Sequence, residues 1–284
     1  MLVDDSTIVP LGPILARTGL RSQDMRDVIA LWDTVRPVIE SQIACAPTSF
    51  AASEVRIGAP IARPGKVIAI GFNYPQHTHE LLGSAATAAE PVVFIKPSDS
   101  VSGPNDPVIK PPETSMLDYE VELAVVIGRA GRRISPLKAM DHVMGYVVAN
   151  DITARDVALG AGLDNPLQLQ IARGKGFPTF CPTGPWLVTS DEVPTPDELR
   201  LQLRVNGTVR QDDTAGRMLV SIADLIASVS ASMALEPGDL ILTGTPAGCG
   251  FQLEPPSYLC SGDEVLASIS GLGEMSFVIQ DEQI

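Results

Sequence analysis

The chain has 284 residues, with 20 Lys and Arg against 34 Asp and Glu, a formal net charge of −14, and 45% hydrophobic residues. That apolar fraction excludes a disordered chain, and the acidic balance excludes nucleic acid as the main partner, because phosphate binding needs a basic face. No 18-residue apolar run occurs, so no membrane span is expected, and the opening MLVDDSTIVP lacks the charged-then-apolar order of a secretory signal. The four cysteines, Cys45, Cys181, Cys249 and Cys260, have no paired spacing and read as reduced thiols of a cytoplasmic protein.

In chain order, the first element expected is a helix. Ser22 can cap it, Asp24 falls in the first turn, and Met25, Val28, Ile29, Trp32 and Val35 recur at helical spacing, with Pro37 expected to end or kink it. Residues 46–64 are mixed and turn-rich, which divides a small N-terminal region, 1–65, from a main body, 66–284. After Gly65 the pattern changes to short β-branched runs. Lys66–Ile70, Val92–Lys96, Tyr119–Ile127, Tyr146–Ala149, Trp186–Val188, Leu201–Val205, Leu240–Leu242 and Val265–Ile269 read as strands. Asn206-Gly207 is a two-residue hairpin signal before Thr208, while Pro237-Gly238-Asp239 and Ser261-Gly262-Asp263 are turns that each open a strand. Helices are expected from Ser135-Pro136 and over Ser221–Met233. Strands and helices do not alternate regularly, so the fold class is α+β and β-rich, with strands packed as a sandwich or rolled sheet.

The segment Asp118-Tyr-Glu120-Val-Glu122-Leu-Ala-Val-Val-Ile127 is the most informative. In a strand, Glu120 and Glu122 share a face about 7 Å apart. Alternating charges usually mark a solvated face, but here Ala124 and Val126 continue the same face while Tyr119, Val121, Leu123 and Val125 fill the other. A strand apolar on both sides is buried on both sides, and two like charges there need something cationic to hold them. Oxygen ligands point to Mg²⁺, Mn²⁺ or Ca²⁺ over zinc. A third oxygen donor is Asp151, where the apolar run Gly145–Ala149 ends in Asn150-Asp151; an Asx turn is the plainer alternative.

Two of the three histidines lie in Gly71-Phe-Asn-Tyr-Pro-Gln-His77-Thr-His79-Glu80. On a helical turn His77 and Glu80 share a face, so the carboxylate could orient the imidazole as a general base, whereas His79 points elsewhere. A polar surface helix is the competing reading, and the spacing is not that of a zinc peptidase. Gly174-Lys175-Gly176 would let the backbone approach a ligand, and Thr243-Gly-Thr245-Pro-Ala-Gly-Cys-Gly250 offers hydroxyls and N–H groups to an anion without a P-loop ending; either could be a turn.

Taken in order, Gly71-Phe-Asn-Tyr74…His77-x-x-Glu80, Phe94-Ile-Lys96-Pro97, Asp118-Tyr-Glu120-Val-Glu122, Asn150-Asp151…Arg155-Asp156, Gly174-Lys175-Gly176-Phe177, Val205-Asn-Gly207 and Thr243–Gly250 closely resemble the fumarylacetoacetate hydrolase family, in its compact branch of acylpyruvate hydrolases, isomerases and decarboxylases. The likeness runs over residues 66–273. It implies a mixed β-roll fold, a homodimer, and Mg²⁺ or Mn²⁺ held by Glu120, Glu122 and Asp151. By the same resemblance His77 and Glu80 form a water-activating pair, Lys175 is a catalytic lysine, Thr245 contacts substrate, and Lys96 lies near the site.

The activity it implies is hydrolysis of the C–C bond of a 2,4-dioxo acid, through an enolate stabilised by the ion, giving a 2-oxo acid and a carboxylic acid. A decarboxylase of oxaloacetate type, or an isomerase of an unsaturated 2-hydroxy dioate, is the alternative within the family. A non-catalytic small-acid binding protein would lack the base or a ligand, and neither is missing here. Three positions depart from the family pattern. Ala158 stands where relatives often carry Gln, with Gln168 and Gln170 nearby; Pro178 stands where many have Asp; and Cys249 occupies the place of a small apolar residue, which suits a structural role better than a nucleophilic one.

Overall fold

The structure, a computed structural model, describes residues 6–20, 22, 24–46, 48–82, 90–160 and 168–283. The chain divides into two compact units, Met1–Ile57 and Gly58–Ile284.

In the first unit β1 (Thr7–Ile8) pairs antiparallel with β2 (Phe50–Ala51), and α1 (Gly12–Leu15), α2 (Met25–Ala30) and α3 (Trp32–Gln42) lie between them in sequence. Val9, Ile14, Leu15, Val28, Val35 and Ile39 form its core. The cap of α2 is Asp24 rather than Ser22: the Asp24 carboxylate accepts from the Arg26 N–H at 3.0 Å, and the Ser22 hydroxyl accepts from the Asp24 N–H at 3.1 Å. The expected single helix breaks at Leu31, and Pro37 sits inside α3 without ending it.

In the second unit the strands are β3 (Val67–Gly71), β4 (Val92–Lys96), β5 (Val101–Ser102), β6 (Val108–Lys110), β7 (Leu117–Asp118), β8 (Val121–Ile127), β9 (Val143–Asn150), β10 (Thr153–Ala154), β11 (Cys181–Thr189), β12 (Arg200–Val205), β13 (Thr208–Thr214), β14 (Leu240–Leu242), β15 (Glu264–Ile269) and β16 (Gly273–Asp281). The helices are α4 (Pro75–Leu82), α5 (Pro136–Ala139), α6 (Arg155–Leu159), α7 (Ile171–Gly174) and α8 (Ile222–Ser232). A seven-stranded sheet runs β4-β3-β14-β8-β9-β11-β5, antiparallel except for the parallel pairs β3/β14 and β5/β11. A five-stranded sheet runs β13-β12-β15-β16-β6, parallel only at β16/β6.

The fold is β-rich α+β, as the sequence leads one to expect. Period-2 alternation sends Val121, Leu123 and Val125 of β8, Tyr146 and Val148 of β9, Leu201 and Leu203 of β12, Val265 and Ala267 of β15, and Met275 and Phe277 of β16 into one core. Helix α8 adds Leu225, Ile226 and Val229 to it and is capped by Ser221, whose hydroxyl accepts from the Asp224 N–H at 3.2 Å. Each of the Val, Leu, Ile, Met and Phe side chains among them contributes about 1.5–3 kcal/mol on burial. The β12–β13 hairpin turns at Asn206 and Gly207, both at positive φ (49° and 77°), which is the conformation that an Asn-Gly turn supplies.

Candidate active site

Strand β8 is buried along its whole length, and its odd-numbered side chains are committed to the core. Glu122 therefore projects to the opposite face, and Glu120 precedes it by two residues, immediately before the strand begins. The β8/β9 register sets Val121 opposite Asn150 and Glu122 opposite Ala149, which brings Asp151 alongside Glu120. The Asp151 N–H donates to the Glu120 carbonyl at 2.8 Å, and the Glu120 N–H donates to Asn150 Oδ1 at 2.9 Å. Carboxylate oxygens of Glu120, Glu122 and Asp151 lie within 4.8 Å of one another, all three residues buried.

Three buried cations surround this group. Lys175 Nζ donates to Glu120 Oε2 at 2.7 Å and to Asp151 Oδ2. Arg155 reaches Glu120 Oε1 at 2.6 Å through Nη2 and Asp118 Oδ2 at 2.9 Å through Nε. Lys96 Nζ lies 2.7 Å from Asp151 Oδ1 and donates to the carbonyls of Ile152 and Lys175. Among the described residues, Phe94 lies 5.1 Å from Lys175 Nζ and Phe251 4.1 Å from the Arg155 guanidinium. Burial alone would raise the Glu120 carboxyl, but the Lys175 and Arg155 charges outweigh it and hold it below its ordinary value. Burial likewise opposes charge on Lys175, and Asp151 and Glu120 overcome it, so the ammonium is held charged.

His77 comes from α4 and is buried, with its ring Nδ1 3.8 Å from Cys249 Sγ. Burial pushes the imidazole down to about 4, against the opposing pull of Glu120. Glu80 belongs to the same helix, and its side chain lies outside the described residues. His79 is exposed.

The glycines around Lys175 allow close contact between chain segments. A Cβ on Gly174 would lie 2.5 Å from Cβ of Ala158, and one on Gly176 would lie 2.6 Å from the Ala172 carbonyl. This close crossing of α6 and α7 accounts for a small residue at 158; Gln168 and Gln170 are both exposed. In the 243–250 loop the hydroxyls of Thr243 and Thr245 donate to the carbonyls of Leu123 and Val121, each at 2.9 Å. The loop does bind anions, but they are the protein's own. The Gly244 N–H donates to Glu122 Oε2 at 2.7 Å, and the Gly250 and Phe251 N–H groups donate to Asp118 at 2.7 and 3.2 Å. Thr245 also accepts from Gln211 Nε2 at 2.8 Å, so its hydroxyl is occupied within the chain.

Sequence reading missed Asp118, Arg155 and Gln211 as members of the site. Asp118 holds Arg155 and the 250–251 backbone together, and Gln211 joins Thr245 and Pro246 to the Val121 N–H. The available signal was Arg155, a cation four positions beyond Asp151 at the end of a buried strand; nothing local marked Gln211.

The donor chemistry fits a divalent cation. Among the described residues, four buried carboxyls, Asp118, Glu120, Glu122 and Asp151, face three buried cations, Lys96, Arg155 and Lys175. The surplus falls on Glu122, whose pKa is raised well above the carboxylate range by burial and by Asp151 and Glu120. An all-oxygen set in this charge environment suits Mg²⁺ or Mn²⁺, with Ca²⁺ also compatible.

With this geometry in hand, the similarities to other proteins are informative. Residues 66–280 match the family described as Fumarylacetoacetate (FAA) hydrolase C-terminal. The chain is 43% identical over 244 residues to the mitochondrial oxaloacetate tautomerase FAHD2A of Bos taurus, covering 86% of this chain and 74% of that one. A crystal structure of a probable 2-hydroxyhepta-2,4-diene-1,7-dioate isomerase from Mycobacterium abscessus is 45% identical, with a TM-score of 0.83 over 100% of this chain and 95% of that one. Maleylpyruvate hydrolase from Sphingobium sp. SYK-6, in complex with manganese(II) and pyruvate, is 30% identical with a TM-score of 0.81 over 99% and 96%. The chain belongs to the fumarylacetoacetate hydrolase family, and the enzymes it resembles span tautomerisation, isomerisation and hydrolysis.

Proposed function

We propose that this protein is a divalent-metal-dependent enzyme that interconverts the keto and enol forms of a small 2-oxo dicarboxylic acid of the oxaloacetate type. The observation that carries this reading is a buried imidazole held neutral, His77, set beside a carboxylate centre that is lined by the fixed charges of Lys175 and Arg155. The 43% identity to an oxaloacetate tautomerase supports it over the C–C hydrolysis that the resemblance first suggested.

Glu120, Glu122 and Asp151 would hold the ion, which supplies Lewis-acid stabilisation of negative charge on the substrate oxygens. The chain's own residues do the rest. A neutral His77 accepts the proton that leaves the carbon next to the 2-oxo group and delivers it to the 2-oxo oxygen, which becomes the enol hydroxyl; the reverse transfer, from that hydroxyl to the carbon, restores the keto form, so no proton is gained or lost overall. Lys175 and Arg155 are charged before substrate arrives and offset the charge that develops on oxygen without reorganising. Lys96, donating to the Ile152 and Lys175 carbonyls and ion-paired with Asp151, acts as a positioning residue, and Thr245 fixes the loop that carries the Gly244 N–H to Glu122.

Hydrolysis of an acylpyruvate-type acid is the second reading, favoured by the likeness to maleylpyruvate hydrolase; there His77, with Glu80 one helical turn on, would activate water. The test is NMR and ultraviolet observation of oxaloacetate, maleylpyruvate and acetylpyruvate with Mg²⁺ or Mn²⁺, before and after chelation. Metal-dependent acceleration of enol-to-keto conversion, with oxaloacetate mass conserved, is expected. Release of CO₂ would assign a decarboxylase instead, and cleavage of either dioxo acid into two acids would assign a hydrolase.

A further inference from the structure

A second group of ligating side chains converges beside the carboxylate centre. His77, Glu120 and Cys249 are all buried, and their donor atoms lie within 4.8 Å of one another. They come from helix α4, the residue before β8, and the loop after β14, so tertiary packing alone assembles them. The donor set is imidazole, thiol and carboxylate, a softer set than the three carboxylates next door. Cys249 Sγ lies 3.8 Å from His77 Nδ1. Sulfur and nitrogen ligands on a tetrahedral zinc, at about 2.3 and about 2.0 Å from the metal, stand about 3.5 Å apart. Closing the sulfur–nitrogen difference takes a few tenths of an ångström of side-chain movement, and the Glu120 carboxylate, within 4.8 Å of both, has to swing in to complete the set. Gln252 packs on the same helix turn: its Nε2 donates to the His77 carbonyl at 3.3 Å, and its Oε1 is buried without a hydrogen-bond partner.

We propose that His77, Cys249 and Glu120 form an inhibitory site for a thiophilic divalent cation of the zinc class. Binding exchanges the thiol proton, released to solvent, for the ion, and nothing is oxidised or reduced. The ion draws Glu120 away from Arg155 and Lys175, competes with the hard cation that shares this carboxylate, and occupies the imidazole. The site depends on Cys249, where the family pattern has a small apolar residue, so it is a property of this chain. Only the inhibitory consequence rests on the proton-transfer role proposed for His77; the binding does not.

The test uses the Mg²⁺-loaded protein with the exposed Cys45 and Cys260 replaced by serine. Cd²⁺ is titrated against the ultraviolet thiolate-to-cadmium charge-transfer band, and Zn²⁺ is titrated in parallel against oxaloacetate turnover, each variant being scaled to its own metal-free-of-zinc rate. The band should saturate at one Cd²⁺ per chain, vanish in Cys249→Ala, and need at least about tenfold more Cd²⁺ in His77→Gln, since losing even an outer-shell partner costs about 10–100-fold in affinity. Zinc sensitivity should fall by at least about tenfold in Cys249→Ala. Cys249→Ser, closer in volume, must show the same loss of the band if the alanine variant folds poorly. A band that persists in both variants would come from the buried Cys181 and would overturn the site. Equal zinc sensitivity in parent and variants would place the inhibition at the carboxylates and overturn the inhibitory role. If the band behaves as expected while Zn²⁺ leaves turnover unchanged, the cation site stands and the role of His77 in proton transfer falls.

Discussion

At the scale of single residues, the site is a set of charges placed where water cannot screen them. Glu120 and Asp151 are held by lysine and arginine, Glu122 by one backbone N–H, and His77 by burial that keeps it uncharged. The sign of the His77 effect can be worked out. Its folded value of about 4 lies below its ordinary 6.5, so between these values the unfolded chain binds a proton that the folded chain refuses. The stability associated with neutral His77 is full above 6.5 and is lost as pH falls through this window to about 4. In NMR spectra of the metal-free protein, the His77 ring signals, identified by their absence in His77→Gln, should stay at neutral positions at pH 5.5. A titration midpoint of 6 or higher would show that burial does not control this group.

At the scale of elements, the crossing of α6 and α7 decides where Lys175 points. Gly174→Ala would push a methyl group against Ala158, whose backbone N is 2.5 Å and whose Cα is 2.6 Å from the added carbon. Overpacking of this kind costs about 1–3 kcal/mol. The variant should unfold at correspondingly lower denaturant concentration and lose kcat/KM, because the lysine that follows is displaced. Ala158→Gly should not restore it, since the clash is with backbone as much as with Cβ; full rescue would refute this account. The same scale shows what local pattern could and could not reveal. Asn206-Gly207, Pro237-Gly238-Asp239 and Ser261-Gly262-Asp263 turn where their chemistry says, because a turn is decided within four residues. Strand β16 is absent from the strands expected above, and it alternates Met275, Phe277 and Ile279 inward. The α2 cap is Asp24 rather than Ser22 because the Ser22 hydroxyl takes the N–H of Asp24 itself, which leaves the Asp24 carboxylate to accept from Arg26 in the first turn.

At the scale of the whole molecule, a cation that binds only the folded carboxylate centre must stabilise the fold. Mn²⁺ at 100-fold above its Kd should add about 2.7 kcal/mol, which raises Tm by roughly 5–10 °C for a chain of this size. Glu122→Gln keeps an acceptor for the Gly244 N–H and removes the surplus charge. Its metal-free form should melt no lower than the parent, while the Mn²⁺-dependent rise disappears. An unchanged rise in this variant would remove Glu122 from the ligand set.

The sequence by itself determined that a strand apolar on both faces must carry Glu120 and Glu122 into the interior, that Asp151 ends a neighbouring apolar strand, and that His77 opens a helix after another. These follow from periodicity over a few residues and from the cost of burying charge. Only the tertiary structure decided how that cost is met. Arg155 reaches back 37 residues to Asp118, Lys175 reaches 55 to Glu120, and Cys249 meets His77 across 172. Local pattern carries no record of such partners, because they are chosen by strand register and loop crossing. The same long-range packing brings the glycine loops against the protein's own carboxylates and backbone, contacts that no local pattern records.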